Sequence, residues 1–406
     1  MITIKDGIHG HIDIRGVARD LIDTPEVQRL RRIRQLGNTS LVYPSANHTR
    51  FEHSLGVYYL ANQAIDRMDI EEYDADSIRA AAILHDIGHG PFSHNTEPLI
   101  EHYLNKGHDD VNEILETGQV NEVLLQHNID PSYVTELIAG KGKYGQLISG
   151  ELDVDRMDYL ARDAHHTGVP YGTIDHEHLI HSLTFNDSKL VIGEGNKQAA
   201  ENMLTARTFM NPTVYHHPAT RVSETMLLRA AEKLVTENII LPTDLRQMDD
   251  YDLVSKLRDN EATADLISRL NRRNLYKRAV WIGIDLVPEP ILDSSWEAIR
   301  SLESELAEKA GISSEKVLLD IPDKPSISES GTCVIEGSKT KPLREASSII
   351  SALEVANREQ WRLGIYTQKE HIENVKNVVD EAFGTDLDQE LIKERTNVRS
   401  SHHFGR

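Results

Sequence analysis

Ala81-Ala82-Ile83-Leu84-His85-Asp86-Ile87-Gly88-His89-Gly90-Pro91-Phe92-Ser93-His94 is the stretch whose reading sets both fold and chemistry. Spacing predicts a helix over Asp76–Ile87, with Ile78, Ala82, Ile83 and Ile87 inward and Gly88 stopping it. An apolar helix excludes unpartnered polar groups, because each buried one costs free energy. Here a His-Asp pair stands at the helix end, and His89 and His94 follow within nine residues. Adjacent imidazole and carboxylate can reach one cation where a helix end loosens the geometry. A His-Asp dipeptide alone is ordinary structure, so the reading depends on what lies elsewhere in the chain.

Two other segments supply it. Arg50-Phe51-Glu52-His53-Ser54 sets a histidine between an arginine and a helix start. Asp153-Val154-Asp155-Arg156-Met157-Asp158-Tyr159-Leu160-Ala161-Arg162-Asp163 packs four carboxylates, two arginines and a tyrosine into one expected helix, 153–165. Asp155, Tyr159 and Asp163 recur every four residues and share a face. Asp155 could ligate a cation there, with Tyr159 and Asp163 lining the pocket beyond. Asp153 and Asp158 read as members of a salt-bridged surface. A mixed nitrogen and oxygen donor set suits several divalent metals and does not choose among them.

Bulk properties narrow the function class. The 406 residues carry a formal net charge of −21, which disfavours the surface as a nucleic-acid platform. The basic island Arg29-Leu30-Arg31-Arg32-Ile33-Arg34 leaves room for a small polyanionic ligand, or is simply a solvated helix face. Aromatic residues are only 5%, so the core must rest on Leu, Ile, Val and Ala. No run approaches the roughly 20 apolar residues of a membrane span. Met1 to His9 does not read as a signal peptide, and a single cysteine, Cys333, excludes an internal disulfide. The expectation is a cytoplasmic protein.

The predicted architecture is mostly α, with a short β-hairpin and a smaller C-terminal α/β or α+β subdomain. Residues 1–277 read as a helical catalytic domain, 278–386 as the subdomain, and 387–406 as a mobile tail. Thr24-Pro25 opens a helix expected to run to Gly37, and another starts near Phe51. Leu183 to Ile192, two apolar runs around Asn-Asp-Ser, predicts the hairpin. Asn196 to Glu237 reads as long helix interrupted at Pro212 and Pro218. Strands are expected at 279–284, 316–321, 331–335 and 364–366, with helices at 294–310 and 368–383.

Taken in order, the Arg50–Ser54, His85–His94 and Asp153–Asp155 motifs resemble the HD-domain superfamily, and most closely its dNTP triphosphohydrolase branch, over roughly residues 5 to 235. The resemblance implies a helical HD core and a divalent metal ion (Mg, Mn, Fe, Co, Ni or Zn) held by His53, His85, Asp86 and Asp155. It implies His89, His94 and His108 as phosphate contacts or acid/base groups. Glu97 departs there from the branch's aspartate, which changes how a carboxylate could couple to His94. Gln35 and Leu36 would approach base and sugar; Arg50, Arg156 and Arg207 the phosphates; Tyr159, Asp163 and Tyr215 the sugar. Tyr215 has core packing beside Pro212 as its ordinary alternative. Asp23, Gln28 and Arg31 match positions that bind an activating guanine nucleotide, although Thr3-Ile4-Lys5, Pro212, Thr213 and Pro218 depart from the rest of that site. A homo-oligomer is implied by the resemblance only.

The implied reaction is hydrolysis of a dNTP to deoxynucleoside and inorganic triphosphate. One rival is the same metal pocket acting on a nucleoside monophosphate or a signalling nucleotide. Another is a nucleotide-binding regulator without turnover. Stable nucleic-acid binding is the weakest reading, because the basic island is short and the net charge opposes it.

Overall fold

The computed structural model describes residues 1–187, 189–325 and 331–383. The expected tail, 387–406, lies outside the described residues. The protein is mostly helical, with small sheets. It packs as two compact units. The larger comprises Met1–Thr220, Leu227–Ser268 and 331–356; the smaller comprises Arg221–Met226, 269–325 and 357–383.

In the larger unit the helix Glu72–Leu84 is the central post. Its Ala80, Ala81, Ala82, Ile83 and Leu84 are all fully buried. Small alanines let neighbouring helices approach closely, and Arg50–Met68 packs along it. At the start of that second helix the Thr49 amide donates to Glu52 Oε2 at 2.5 Å, and the Thr49 hydroxyl donates to the same oxygen at 3.3 Å. A third helix, Val154–Thr167, crosses Arg50–Met68 at Gly56. The N-terminal hairpin, Ile2–Asp6 with Gly10–Ile14, was not foreseen from sequence.

The expected hairpin forms as strands Leu183–Asn186 and Lys189–Ile192. It is extended by Cys333–Glu336, parallel to Lys189–Ile192, and then by Lys339–Pro342. Residues 333–342, grouped by sequence texture with the C-terminal subdomain, therefore complete a sheet of the larger unit. Sequence texture identifies a strand but not the edge it pairs with.

In the smaller unit Lys277–Gly283, Arg362–Thr367 and Leu318–Asp320 form an antiparallel sheet with Arg362–Thr367 in the middle. Val280, Ile282, Leu319, Leu363 and Ile365 meet Leu306 of the helix Trp296–Lys309 and Val375 and Val379 of the helix Ile372–Phe383.

The expected 24–37 helix is shorter than its pattern. It runs Pro25–Arg29, gives one 3-10 turn, and becomes extended at Ile33. Arg34 leaves the helix to bridge to Thr49, and its amide donates to Asp250 Oδ2 at 3.1 Å. Tertiary hydrogen bonds override a helical spacing there. The 196–237 helix divides as read, into Lys197–Met210, a wide turn at Asn211–Tyr215, and Pro218–Thr236.

A Cβ at Gly56 would collide with the Asp158 carboxylate and the Arg162 guanidinium. Gly56→Ala is therefore expected to destabilise the protein by about 1–3 kcal/mol through overpacking. Urea unfolding measures it, and an unchanged midpoint would mean that the two helices are not held this close.

Candidate metal centre and its surroundings

The helix Glu72–Leu84 ends in a turn over His85–Gly88, which aims the His85 ring back at its own last turn. His85 Nδ1 donates to the Ala82 carbonyl at 3.0 Å, so Nε2 keeps its lone pair. His53 Nδ1 faces Asp158 Oδ2 at 2.8 Å, which likewise turns Nε2 toward the cluster. His53 Nε2 then lies 3.3 Å from His85 Nε2, 2.8 Å from Asp155 Oδ1 and 3.8 Å from Asp86 Oδ2. His85 Nε2 is 3.4 Å from Asp86 Oδ1 and 3.8 Å from Asp155 Oδ1.

These spacings suit donor atoms each about 2.0–2.2 Å from one ion. Two further observations fit a cation. Asp86 Oδ2 is buried without a hydrogen-bond partner. Burial should lower the basicity of His53, yet the hydrogen bonds to Asp155 and Asp158 and the charge of Asp86 push it up to about 10. The pocket thus calls for positive charge at its centre. It also lies at the C-terminal end of a helix, where the backbone dipole favours a cation.

Asp158 and Asp153, read from sequence as surface, are buried. Asp158 accepts from His9 Nε2 at 2.7 Å and from Arg162 Nε and Nη2 at 2.8 and 2.9 Å. Arg162 Nη1 reaches on to Asp6 Oδ2 at 2.8 Å. Despite burial, Arg162 and these hydrogen bonds hold the Asp158 carboxyl well below the usual range. Asp153 caps its helix, accepting from the Arg156 and Gly150 amides at 2.7 and 2.6 Å, and burial pushes its carboxyl up to about 7. An aspartate i, i+4 to an arginine was the available signal for Asp158, but it is indistinguishable from a surface pair until burial is known.

A second floor of histidines adjoins Asp86. His89 Nε2 is 3.4 Å from Asp86 Oδ1, and its ring stacks on His108 at 4.2 Å and meets His94 edge-on at 4.8 Å. Burial and the charges of Arg50 and His108 hold His89 well below the ordinary imidazole value. Glu97 bridges the other two, accepting from His94 Nδ1 at 2.6 Å and from His108 Nδ1. That contact outweighs burial and raises His108. The longer glutamate therefore does couple to His94, and to His108 as well. His89, His94, Glu97 and His108 form a second potential donor group.

Arg50 is buried. Nη1 donates to Asp86 Oδ1 and Nε to Ser93 Oγ, both at 2.7 Å, while Nη2 is buried with no partner. On the opposite side Asp163 accepts from Tyr215 Oη at 2.9 Å and from His48 Nε2 at 2.7 Å. The Tyr159 ring stands 6.1 Å from Tyr215 and 6.5 Å from His53. Burial pushes the Tyr159 phenol up to about 12, with Arg207 and Arg156 close enough to oppose the shift. His48 was not foreseen; nothing in Ala46-Asn47-His48-Thr49 marks it. Gln35 has a buried, unpartnered Oε1, and Leu36 packs on the core.

The positions matched to an activator lie elsewhere. Gln28 Nε2 donates to the Ile22 carbonyl at 2.6 Å and Gln28 Oε1 accepts from Arg31 Nε at 2.9 Å. The Arg31 guanidinium covers the Phe51 ring at 3.6 Å, and Asp23 is exposed. Among the described residues no helix is long and apolar enough to cross a membrane.

Comparison with known proteins gives concordant results. The HD domain model matches residues 50–163, and the HD associated region model matches residues 174–394. An uncharacterised protein of Methanocaldococcus jannaschii is 37% identical, over 93% of this chain and 81% of its own. The human deoxynucleoside triphosphate triphosphohydrolase SAMHD1 is 28% identical, over 79% of this chain and 60% of its own length. The crystal structure of a phosphohydrolase from Bacteroides thetaiotaomicron superposes with a TM-score of 0.72 at 28% identity, over 91% of this chain and all of that one.

If Asp158 fixes the tautomer and orientation of His53, Asp158→Asn should weaken divalent-metal binding about 10–100-fold. Calorimetric titration with Mn²⁺ measures this directly, and an unchanged dissociation constant would reject the role. Its motifs, its helical frame and its likeness over nearly the whole length to other such chains make this protein a member of the HD-domain family, an HD domain continued by an HD-associated region.

Proposed function

We propose that the protein is a metal-dependent phosphohydrolase that converts dNTPs to deoxynucleoside and inorganic triphosphate. The observation that carries this reading is the Tyr159–Tyr215–Asp163–His48 wall, standing beside the His53/His85/Asp86/Asp155 cluster. Hydrolysis of a simple phosphomonoester needs the cluster alone. A wall with a tyrosine hydroxyl bonded to a buried carboxylate suits a sugar held beyond the phosphates. The human relative is a deoxynucleoside triphosphate triphosphohydrolase, which supports the same reaction, and the Bacteroides neighbour is a phosphohydrolase, which supports the broader class.

A divalent cation bound by His53, His85, Asp86 and Asp155 would supply Lewis-acid polarisation of a phosphoryl oxygen and a water of lowered pKa. Arg50 would direct its unpartnered Nη2 to the phosphates while Nη1 keeps Asp86 in place. Arg156 and Arg207 would offset charge developing on the transferred group. His108, whose charged form Glu97 favours, is suited to protonate the departing 5′-oxygen, with His94 on the other oxygen of the same carboxylate. His89, held neutral, would donate to a phosphate oxygen without adding charge. Asp163, already bonded to Tyr215 and His48, keeps lone pairs for the sugar 3′-hydroxyl. The Tyr215 ring would crowd a 2′-hydroxyl. A guanine nucleotide at Asp23, Gln28 and Arg31 would have to exchange the Gln28–Arg31 hydrogen bond for its own.

The test is anion-exchange analysis of products from each dNTP with Mg²⁺, Mn²⁺, Co²⁺ or Ni²⁺, with and without GTP. Deoxynucleoside and intact triphosphate, absent with Asp86→Ala, are expected. Orthophosphate release, or turnover of monophosphates only, would overturn the assignment. Tyr215→Ala should raise ribonucleotide over deoxynucleotide kcat/KM by roughly 10-fold or more, since one pocket contact is worth about 1–3 kcal/mol. An unchanged ratio would remove Tyr215 from sugar selection.

A further inference from the structure

The HD motifs end at residue 163, yet the loops that present the histidines are tied together from a segment some eighty residues later. Arg246-Gln247-Met248-Asp249-Asp250 joins the helix Pro242–Gln247 to the helix Asp250–Asp259. Arg246, buried, donates Nη2 to the carbonyls of Gly107 and Asp110, on either side of His108. The Met248 carbonyl accepts from Arg29 Nη1 at 2.9 Å, and Arg29 Nη2 donates to the carbonyls of Ile87 and His89 at 2.7 and 2.9 Å. Asp249 pairs with Arg32. Asp250 accepts from the Phe92 amide at 2.6 Å on one oxygen and from the Arg34 amide at 3.1 Å on the other.

Phe92 and Ser93 explain why such a tie is needed. Both have φ of +58°, and two consecutive non-glycine residues in the left-handed region are strained. That turn brings His89 and His94 edge-on to each other at 4.8 Å within one histidine group. It persists only where the surroundings over-determine it. Asp250 holds its first residue, and Ser93 Oγ donates to the Arg34 carbonyl at 2.6 Å. The same aspartate therefore grips the loop that carries Gln35 and Leu36 and the loop that carries His89 and His94.

We infer that Asp250 is a positioning residue that sets the distance between the base-and-sugar loop at 34–36 and the histidine loop at 89–94, with Arg246 doing the same for His108. This role rests on the proposed function for its catalytic consequence, but its geometric content stands apart from any substrate. Asp250 touches neither the metal donors nor the reacting atoms; it acts through two backbone amides. The HD-associated region thereby completes the HD site.

Hydrogen–deuterium exchange on the full-length protein tests it, comparing wild type with Asp250→Asn. An asparagine retains one acceptor oxygen and turns the NH2 of its carboxamide, a donor, toward the second backbone N–H, so one grip is lost with little change in volume. Exchange in peptides covering 30–36 and 88–95 should rise by about 10-fold or more, with 50–68 within about twofold, as local opening requires. If wild type hydrolyses a dNTP, kcat of the variant on that dNTP should fall about 10–100-fold with KM within about threefold, because misplacement costs the chemical step. Unchanged exchange in those two peptides, or an equal rise throughout the chain, would overturn the inference. Should the variant not fold, wild type decides: rapid exchange at Phe92 and Arg34 would overturn it, and protection matching the buried helices would uphold it. Absence of any dNTP hydrolysis by wild type would count against the proposed function and leave the exchange result to judge the staple.

Discussion

The larger unit is organised around charge in a place where charge is costly. Asp86 and Asp158 are buried, and Asp155 stands at the mouth of the same pocket. A buried ion loses several kcal/mol of hydration, recovered only through well-placed partners. Arg50 answers Asp86, Arg162 answers Asp158, and His53 lies among all three carboxylates. That distribution leaves the Nε2 atoms of His53 and His85 converging with carboxylate oxygens, an arrangement that could hold a cation.

The frame follows from this requirement. An alanine-rich helix can be buried on all sides, which lets its last turn deliver His85 and Asp86 to the centre of the unit. Gly56 lets the Asp155 helix approach until Asp158 reaches His53, and the N-terminal hairpin closes the network from behind through Asp6 and His9. Each element brings only part of the charge, and none of the networks lies within a single element. The histidine floor repeats the pattern, with Glu97 between His94 and His108 and His89 stacked against the latter.

Much of this was legible in the residues. His85-Asp86, the His53 motif and Asp155 stand out because polar residues interrupt apolar helical spacing, and Pro25, Pro212 and Pro218 mark where helices begin or break. Asp158 and His48 were not legible. A carboxylate four residues before an arginine looks the same on a solvated face as in a buried one, and a histidine in a polar loop carries no period. The early end of the 24–37 helix was hidden for a related reason: Arg34 is drawn out by Thr49 and Asp250, partners far away along the chain.

The sequence by itself determined the family, the helical class and the residue types available for metal chemistry, because these reside in local spacing and in short motifs whose composition an apolar helix would otherwise reject. Tertiary structure alone decided which carboxylates are buried, that Glu97 serves two histidines, that residues 333–342 complete a sheet begun at 183, and that residues 246–250 bind three loops of the site together. Most of those outcomes depend on contacts between residues tens to hundreds of positions apart, while Glu97 reaches His94 three and His108 eleven residues away. Periodicity records which face of an element is apolar; it holds no record of what that face, or the polar groups beside it, will meet.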